Sequence, residues 1–353
     1  MRRVSPAWFI VPLLLAAPTT ARSAPSETPP WDTPVPSAIW LNNAEALESR
    51  KDWQGLRVLA EQWVKAQPHS APAWFALGEA DDNFGRYAQA IEATRRALQI
   101  NPQFALAWNN LGIAYDGAGQ HAQAIDAERR ALQINPQLST AWNNLGNAYN
   151  NAGQHAQAID AFRQALQINP QYADAWDNLG LAYGQTGKYA QGIDAFRRTL
   201  QINPQYAKAW DSLGEADDQT GQYGQAIDAF RRALQVNPQD AEAWDNLGVA
   251  YDQTGQYGQV IDAFRRALQI NPKDAKAWNN LGVAYGQTGK YGQATDAYRQ
   301  ALQINPQLSN AWFLLGLVYL QTGQRNQALA AYQHLKTLDP ADARELFDQI
   351  VPK

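Results

Sequence analysis

The segment Ala175-Trp176-Asp177-Asn178-Leu179-Gly180-Leu181-Ala182-Tyr183 decides the fold. Trp176, Leu179, Gly180 and Tyr183 stand at i, i+3, i+4 and i+7, which is one face of an α-helix. Gly187 ends that helix, because glycine enters the left-handed region with no Cβ penalty. Ile193, Phe196, Leu200 and Ile202 make the apolar stripe of a second helix. Asn203-Pro204 stops it, since proline cannot continue the hydrogen-bond ladder. Residues 173–206 therefore read as a helical hairpin. Gly180 inside a helix costs about 0.5–1 kcal/mol relative to alanine, which makes sense where a partner helix comes close. Trp176, with ~150–250 Å² to bury, is the expected packing anchor.

The same pattern recurs on both sides of this hairpin. Trp74, Trp108, Trp142, Trp176, Trp210, Trp244, Trp278 and Trp312 are each 34 residues apart. Leu follows every one by three and Gly by four. A second Gly follows by eleven, from Gly85 to Gly323, and Pro by twenty-eight, from Pro102 to Pro340. Trp40 and Pro68 add a degenerate copy, so nine units cover 37–342. Such units cannot bury their apolar faces alone and do so by stacking on neighbours.

Trp, Leu, Gly and Tyr followed by Ala, Phe and Pro resemble the tetratricopeptide repeat, strongly over 71–340 and weakly over 37–70. The resemblance implies an all-α fold, a right-handed superhelical α-solenoid of helix-turn-helix repeats whose first helices line a concave groove. It also implies a non-catalytic scaffold that binds protein or peptide partners. The expected organisation is a signal peptide at 1–23, a Pro-rich linker at 24–36 and a degenerate first repeat serving as N-terminal cap at 37–70. Eight repeats at 71–340 and a capping helix at 341–353, carrying Leu346, Phe347 and Ile350, complete it. Some units depart from the pattern. Asp81 and Asp217 replace Tyr, and Gly192 and Val260 replace Ala. Thr94 and Glu128 replace the second-helix aromatic, so 88–134 is expected to pack less tightly.

The N-terminal residues read as an export signal. Arg2 and Arg3 precede an apolar stretch from Ala7 to Ala17, too short to span a bilayer, and Ala21-Arg22-Ser23 resembles a cleavage site used after Ser23. Removing Arg2, Arg3 and Arg22, and no acid, moves the formal charge from −4 to −7. Five prolines in 24–36 suit an extended tether. A periplasmic or secreted protein is expected. The 353 residues include no cysteine, which suits a bacterial periplasm and leaves no site for a lipid anchor.

Composition removes other classes. Thirty-three acidic against 29 basic residues disfavours nucleic acid, which needs clustered positive charge. No later apolar run approaches the ~20 residues of a membrane helix. With no Cys and four His, thiolate and multi-His zinc sites are excluded. No Ser-His-Asp order, phosphate loop or dinucleotide fingerprint is visible. No catalytic residue, metal or cofactor is expected. His121 and His155, which stand where other units have Tyr, read as packing at the start of the second helix.

The candidate peptide-binding groove is built from two positions on the first helices. Two residues after Trp stand Asn110, Asn144, Asn178, Asn246 and Asn280, interrupted by Ser212. Five after it stand Ile113, Asn147, Leu181, Val249 and Val283. A separation of three puts each pair on one helical face. Asn both donates and accepts, so it can pair with a peptide backbone of any sequence, while an apolar neighbour holds a side chain. This is similar to the asparagine ladder in the repeat domain of O-linked N-acetylglucosamine transferase, from which only the groove chemistry is carried over and not the catalytic domain. The plainer alternative is that these asparagines belong to the repeat consensus and need no partner.

Charge follows the same division. Asp177, Asp211 and Asp245, with Asp82, Asp116, Asp218 and Asp252, lie on first helices. Arg95-Arg96, Arg129-Arg130, Arg197-Arg198, Arg231-Arg232 and Arg265-Arg266 lie on second helices. An acidic groove steers an extended polar or basic partner, or else both faces simply keep the protein soluble. Gly-Glu-Ala-Asp-Asp occurs at Gly78–Asp82 and at Gly214–Asp218, as a socket for a cation or a Lys/Arg side chain or as a locally acidic helix end. Lys208 and Lys276 lack the second basic residue of a clamp for a C-terminal carboxylate. Self-association by end stacking is the alternative to a hetero-partner.

Overall fold

The computed structural model describes residues 37–351, and the expected signal peptide and Pro-rich linker lie outside them. Among the described residues there are nineteen helices and no strand. They divide into two compact units, one ending at Ala175 and one beginning at Trp176. The first holds α1 (Ser37–Ser49), α2 (Trp53–Ala66), α3 (Ala71–Asn83), α4 (Tyr87–Ile100), α5 (Ala105–Gly117), α6 (His121–Ile134), α7 (Ser139–Asn151) and α8 (His155–Ile168). Helix α9 (Ala173–Gln185) carries the chain into the second. That unit holds α10 (Tyr189–Ile202), α11 (Ala207–Gln219), α12 (Tyr223–Val236), α13 (Ala241–Gln253), α14 (Tyr257–Ile270), α15 (Ala275–Gln287) and α16 (Tyr291–Ile304). It closes with α17 (Ser309–Gln321), α18 (Arg325–Leu338) and α19 (Pro340–Ile350).

Each hairpin ends its helices by the expected chemistry. Gly187 sits at φ +72° just past α9, and Lys188 N donates to Tyr183 O at 2.9 Å, which satisfies an end carbonyl. Asn203 after α10 is extended, as a residue before proline must be, and its Oδ1 accepts from Gln205 N at 3.1 Å.

Gly146, Gly180, Gly214, Gly248 and Gly282, each within a first helix, are explained by a ring. A Cβ on Gly180 would lie 2.6 Å from Phe196 Cε1, and one on Gly146 or Gly214 would meet Phe162 or Phe230 at 2.5 and 2.6 Å. The second helix sets its aromatic against the bare Cα, and Phe162 and Phe230 are each 1% exposed. Gly316 receives Leu346 of α19 instead, at 2.5 Å, so the last helix fills the seat from outside its hairpin.

The tryptophans are not the interior anchors the period suggested. They are half-buried, and the fully enclosed places beside them belong to alanines such as Ala107, Ala209, Ala243 and Ala277. An indole needs an acceptor for its N–H, and those of Trp74, Trp108, Trp142, Trp210, Trp244, Trp278 and Trp312 find one in a proline carbonyl, whereas Trp40 Nε1 is buried without one. Trp108 Nε1 donates to Pro102 O, and Trp210 Nε1 to Pro204 O, both at 2.9 Å. The indole thereby straps the loop between hairpins to the following first helix. Arginines make a second tie. Arg95, Arg129, Arg231, Arg265 and Arg299 donate to the hydroxyls of Tyr115, Tyr149, Tyr251, Tyr285 and Tyr319, at 2.6–3.1 Å. Their guanidinium carbons stand 5.5–5.8 Å from the ring centroids. The first arginine of those pairs is thus an inter-repeat clip as well as surface charge.

The looser packing expected at 88–134 has a specific form. Thr94 and Glu128 occupy the ring's seat and are buried, yet the Thr94 hydroxyl and both Glu128 carboxylate oxygens meet no hydrogen-bond partner. A cleft of about 860 Å³ opens nearby, lined by Arg95, Trp108, Leu111, Tyr115 and Arg129 among others. Burial, and then the charge of Asp116, holds the Glu128 carboxyl well above the ordinary carboxylate range. The folded state binds this proton more tightly than the unfolded state. The stability that this carboxyl contributes is therefore greatest at low pH and falls as pH rises above the ordinary value of 4.5. Glu128→Phe, which restores the ring, should raise unfolding stability at neutral pH by ~1–3 kcal/mol. Urea unfolding at two pH values checks this, and a gain that does not grow with pH contradicts the assignment.

Candidate functional site

In the first unit the ladder positions lie half-buried along α5 and α7, with Asn110 beside Ile113 and Asn144 beside Asn147. The position immediately after Trp is the more buried, since Asn109 and Asn143 are 3% and 4% exposed. Asn144 Nδ2 donates to Asn109 Oδ1 at 3.0 Å, and Asn143 Nδ2 donates to Asn144 Oδ1 at 3.4 Å. Asn144 is therefore engaged within the protein. Asn110 Nδ2 is buried without a partner. His121 Nδ1 lies 2.8 Å from Asp116 Oδ1, and His155 Nδ1 lies 2.8 Å from Asn150 Oδ1. Both histidines tie the start of a second helix to the end of its first.

In the second unit a cleft of about 430 Å³ lies on the first-helix faces of α9, α11 and α13. Leu181, Asn246 and Val249 line it, as do Ser212, Glu215 and Asp218, over the rings of Phe196 and Phe230. Asn246 Nδ2 donates to Glu215 Oε1 at 3.3 Å. Of the residues expected in a groove, Leu181, Asn246 and Val249 share this cleft, while Asn178, Asn280 and Val283 lie outside its lining. Glu215, Asp218 and Ser212 were not expected as binding residues. Their signals were present in the acidic motif at Gly214–Asp218 and in the break that Ser212 makes in the asparagine series.

The acidic residues separate by burial. Asp177 is 1% exposed with Lys208 Nζ 3.6 Å from its Oδ2, so it is a packed ion pair and not a face offered to a partner. The position after Trp points toward the next first helix, which covers it. Asp211 and Asp245 are half-buried, and one oxygen of each lacks a hydrogen-bond partner. Burial, reinforced by Glu215, Asp240 and Glu242 and opposed by a hydrogen bond from Asn246, pushes Asp211 up to about 7. Burial and then Asp274, opposed by Lys276, push Asp245 up to about 6. Burial also raises Glu215 and Asp218.

The two copies of Gly-Glu-Ala-Asp-Asp differ. In the first, Asp81 Oδ1 is held by Arg57 Nε at 2.8 Å and approached by Arg86 Nη1 at 3.6 Å. In the second, Asp217 Oδ1 is buried and unpartnered, and Arg197 donates to Gln225 at 3.0 Å. Among the described residues no group of three or more His, Cys, Asp or Glu could hold a metal ion, and no helix is long and apolar enough to cross a membrane.

Family models for the tetratricopeptide repeat match residues 54–103, 75–139, 139–172 and 173–206. Residues 54–206 are tetratricopeptide repeats. A model described as the cilia and flagella-associated protein 70 C-terminal domain matches 205–348. A comparison with curated proteins returns no match. Among solved structures the chain is similar to the APC/C hetero-tetramer Cut9-Hcn1, at 21% identity and a TM-score of 0.55 over 80% of this chain. The likeness spans 56% of that chain. It is also similar to pilF of Pseudomonas aeruginosa, at 21% identity and a TM-score of 0.52 over 60% of this chain and 97% of that one. YrrB, described as a tetratricopeptide-repeat protein with an unusual peptide-binding site, matches 53% of this chain and 96% of its own at 21% identity and a TM-score of 0.47. At these identities the likeness shows the fold alone. Tetratricopeptide repeats generally act as scaffolds for protein or peptide partners and not as catalysts.

Asp211 holds its proton more tightly folded than unfolded, so its ionisation removes stability as pH rises from the ordinary 3.8 to about 7. Asp211→Asn should therefore raise the melting temperature at pH 8, with a gain that shrinks as pH is lowered toward 5. Thermal unfolding followed by circular dichroism reads this directly. A gain independent of pH contradicts the burial of an ionising carboxylate.

Proposed function

We propose that this protein is an exported scaffold that holds an extended polypeptide against the first helices of its tetratricopeptide repeats, in the periplasm or outside the cell. The observation that carries the reading is the cleft of about 430 Å³ on α9, α11 and α13. Asn246 lines it together with Leu181 and Val249, so a polar amide for a backbone shares the cleft with apolar groups for side chains. The rings of Phe196 and Phe230 give it an apolar floor. The acids around it suit a polar or basic segment. The general use of these repeats as scaffolds supports a protein partner.

Export rests on the sequence of the first residues. Arg2 and Arg3, the apolar run from Ala7 to Ala17 and Ala21-Arg22-Ser23 match a signal peptide cut after Ser23. The absence of cysteine agrees with a compartment where stray thiols are oxidised.

Crosslinking and pull-down from an envelope extract test the reading. Asn246→Ala combined with Leu181→Ser and Val249→Ser should abolish partner capture while helicity stays unchanged. Undiminished capture moves the site elsewhere. N-terminal sequencing of the cell-envelope protein should begin at Ala24, and an unprocessed cytoplasmic chain contradicts export.

A further inference from the structure

We infer that the cleft on α9, α11 and α13 takes a lysine or arginine side chain of the bound polypeptide. This deepens the groove reading above and rests on it. The cleft is amphipathic in the way such a side chain is. Leu181 and Val249, above the buried rings of Phe196 and Phe230, offer an apolar surface for a methylene stem, and Glu215 and Asp218 offer carboxylates for a cationic head. Ser212 lines the same cleft, is 8% exposed, and its hydroxyl has no hydrogen-bond partner, so it provides a third oxygen acceptor. Asp218 Oδ1 is likewise buried and unpartnered.

Among the described residues no cation makes a hydrogen bond to Glu215 or Asp218. Lys208 stands against Asp177 at 3.6 Å, and Arg197 is bonded to Gln225 at 3.0 Å. The other copy of the acidic motif shows what the protein does when it fills such a demand internally. There Arg57 and Arg86 close on Asp81. Four repeats later the corresponding places hold Ile193 and Gln222, and the guanidinium groups are gone. Burial raises Glu215 and Asp218, opposed at Glu215 by the hydrogen bond from Asn246 and the charge of Lys208, so an incoming cation adds to the interaction that favours their ionised forms.

The test uses the full chain and three synthetic peptides of equal length, identical except for a central lysine, norleucine or glutamate. Binding is read by titration calorimetry. The lysine peptide should bind about tenfold more tightly than the norleucine peptide, and the glutamate peptide most weakly. The lysine preference should disappear in Glu215→Gln/Asp218→Asn and shrink as pH is lowered from 8 to 5. Circular dichroism checks that the variant is folded, and Glu215→Gln alone, at the more exposed of the two positions, should lose part of the preference. Equal binding of the lysine and norleucine peptides overturns the socket and leaves the groove standing. A lysine preference that survives the double variant also overturns it. If no peptide binds, both the socket and the groove reading fall.

Discussion

The structure depends on one contact, an aromatic ring of the second helix seated on a glycine of the first. At Gly180 and Phe196 there is no room for even a methyl group between them. The contact sets the distance and roll of the two helices, because the ring has no other place to go at native packing density. Repeating that geometry every 34 residues gives each hairpin the same outline, so neighbours can stack by one rule. The rule bends where the ring is lost, at Thr94 and Glu128, which leave buried oxygens unpaired. It bends also at the last seat, where Leu346 from a separate helix stands over Gly316 although the hairpin carries Tyr332.

Polar ties then orient one hairpin on the next. The indole N–H reaches back to a proline carbonyl, and arginine reaches forward to a tyrosine hydroxyl. Both ties use groups that the hairpin cannot satisfy internally. Within the second unit the first-helix faces of α9, α11 and α13 hold the cleft, where Ser212 breaks the asparagine series and Glu215 replaces an apolar residue.

The hairpins were legible because their punctuation is chemical. Gly187 and Asn203-Pro204 stop helices for reasons that act over a few residues. The burial of particular side chains was not legible, because a first helix in a stack has more than one covered face. The stripe through Trp176 and Tyr183 predicts the contact with its own second helix. It says nothing of the contact with the next first helix, which hides Asp177 and Asn109. For the same reason the pairing of Asn144 with Asn109 could not be read from spacing, although the two lie 35 residues apart. The tryptophans misled through size, since a large ring can pack on the core and still keep its N–H at the surface. The arginine–tyrosine clip had a visible signal in its constant spacing, and Asp217 marks a unit where the tyrosine is absent.

A double-mutant cycle on Gly180 and Phe196 tests the seating of ring on glycine most directly. Alanine is the better helix former by ~0.8–1.0 kcal/mol, so propensity alone makes Gly180→Ala stabilising. With Phe196 in place, Gly180→Ala should instead destabilise the protein in urea unfolding. In the Phe196→Ala background the same change should stabilise it, with a coupling energy of ~1–3 kcal/mol between the two sites. Equal stabilisation by Gly180→Ala in both backgrounds would contradict the account.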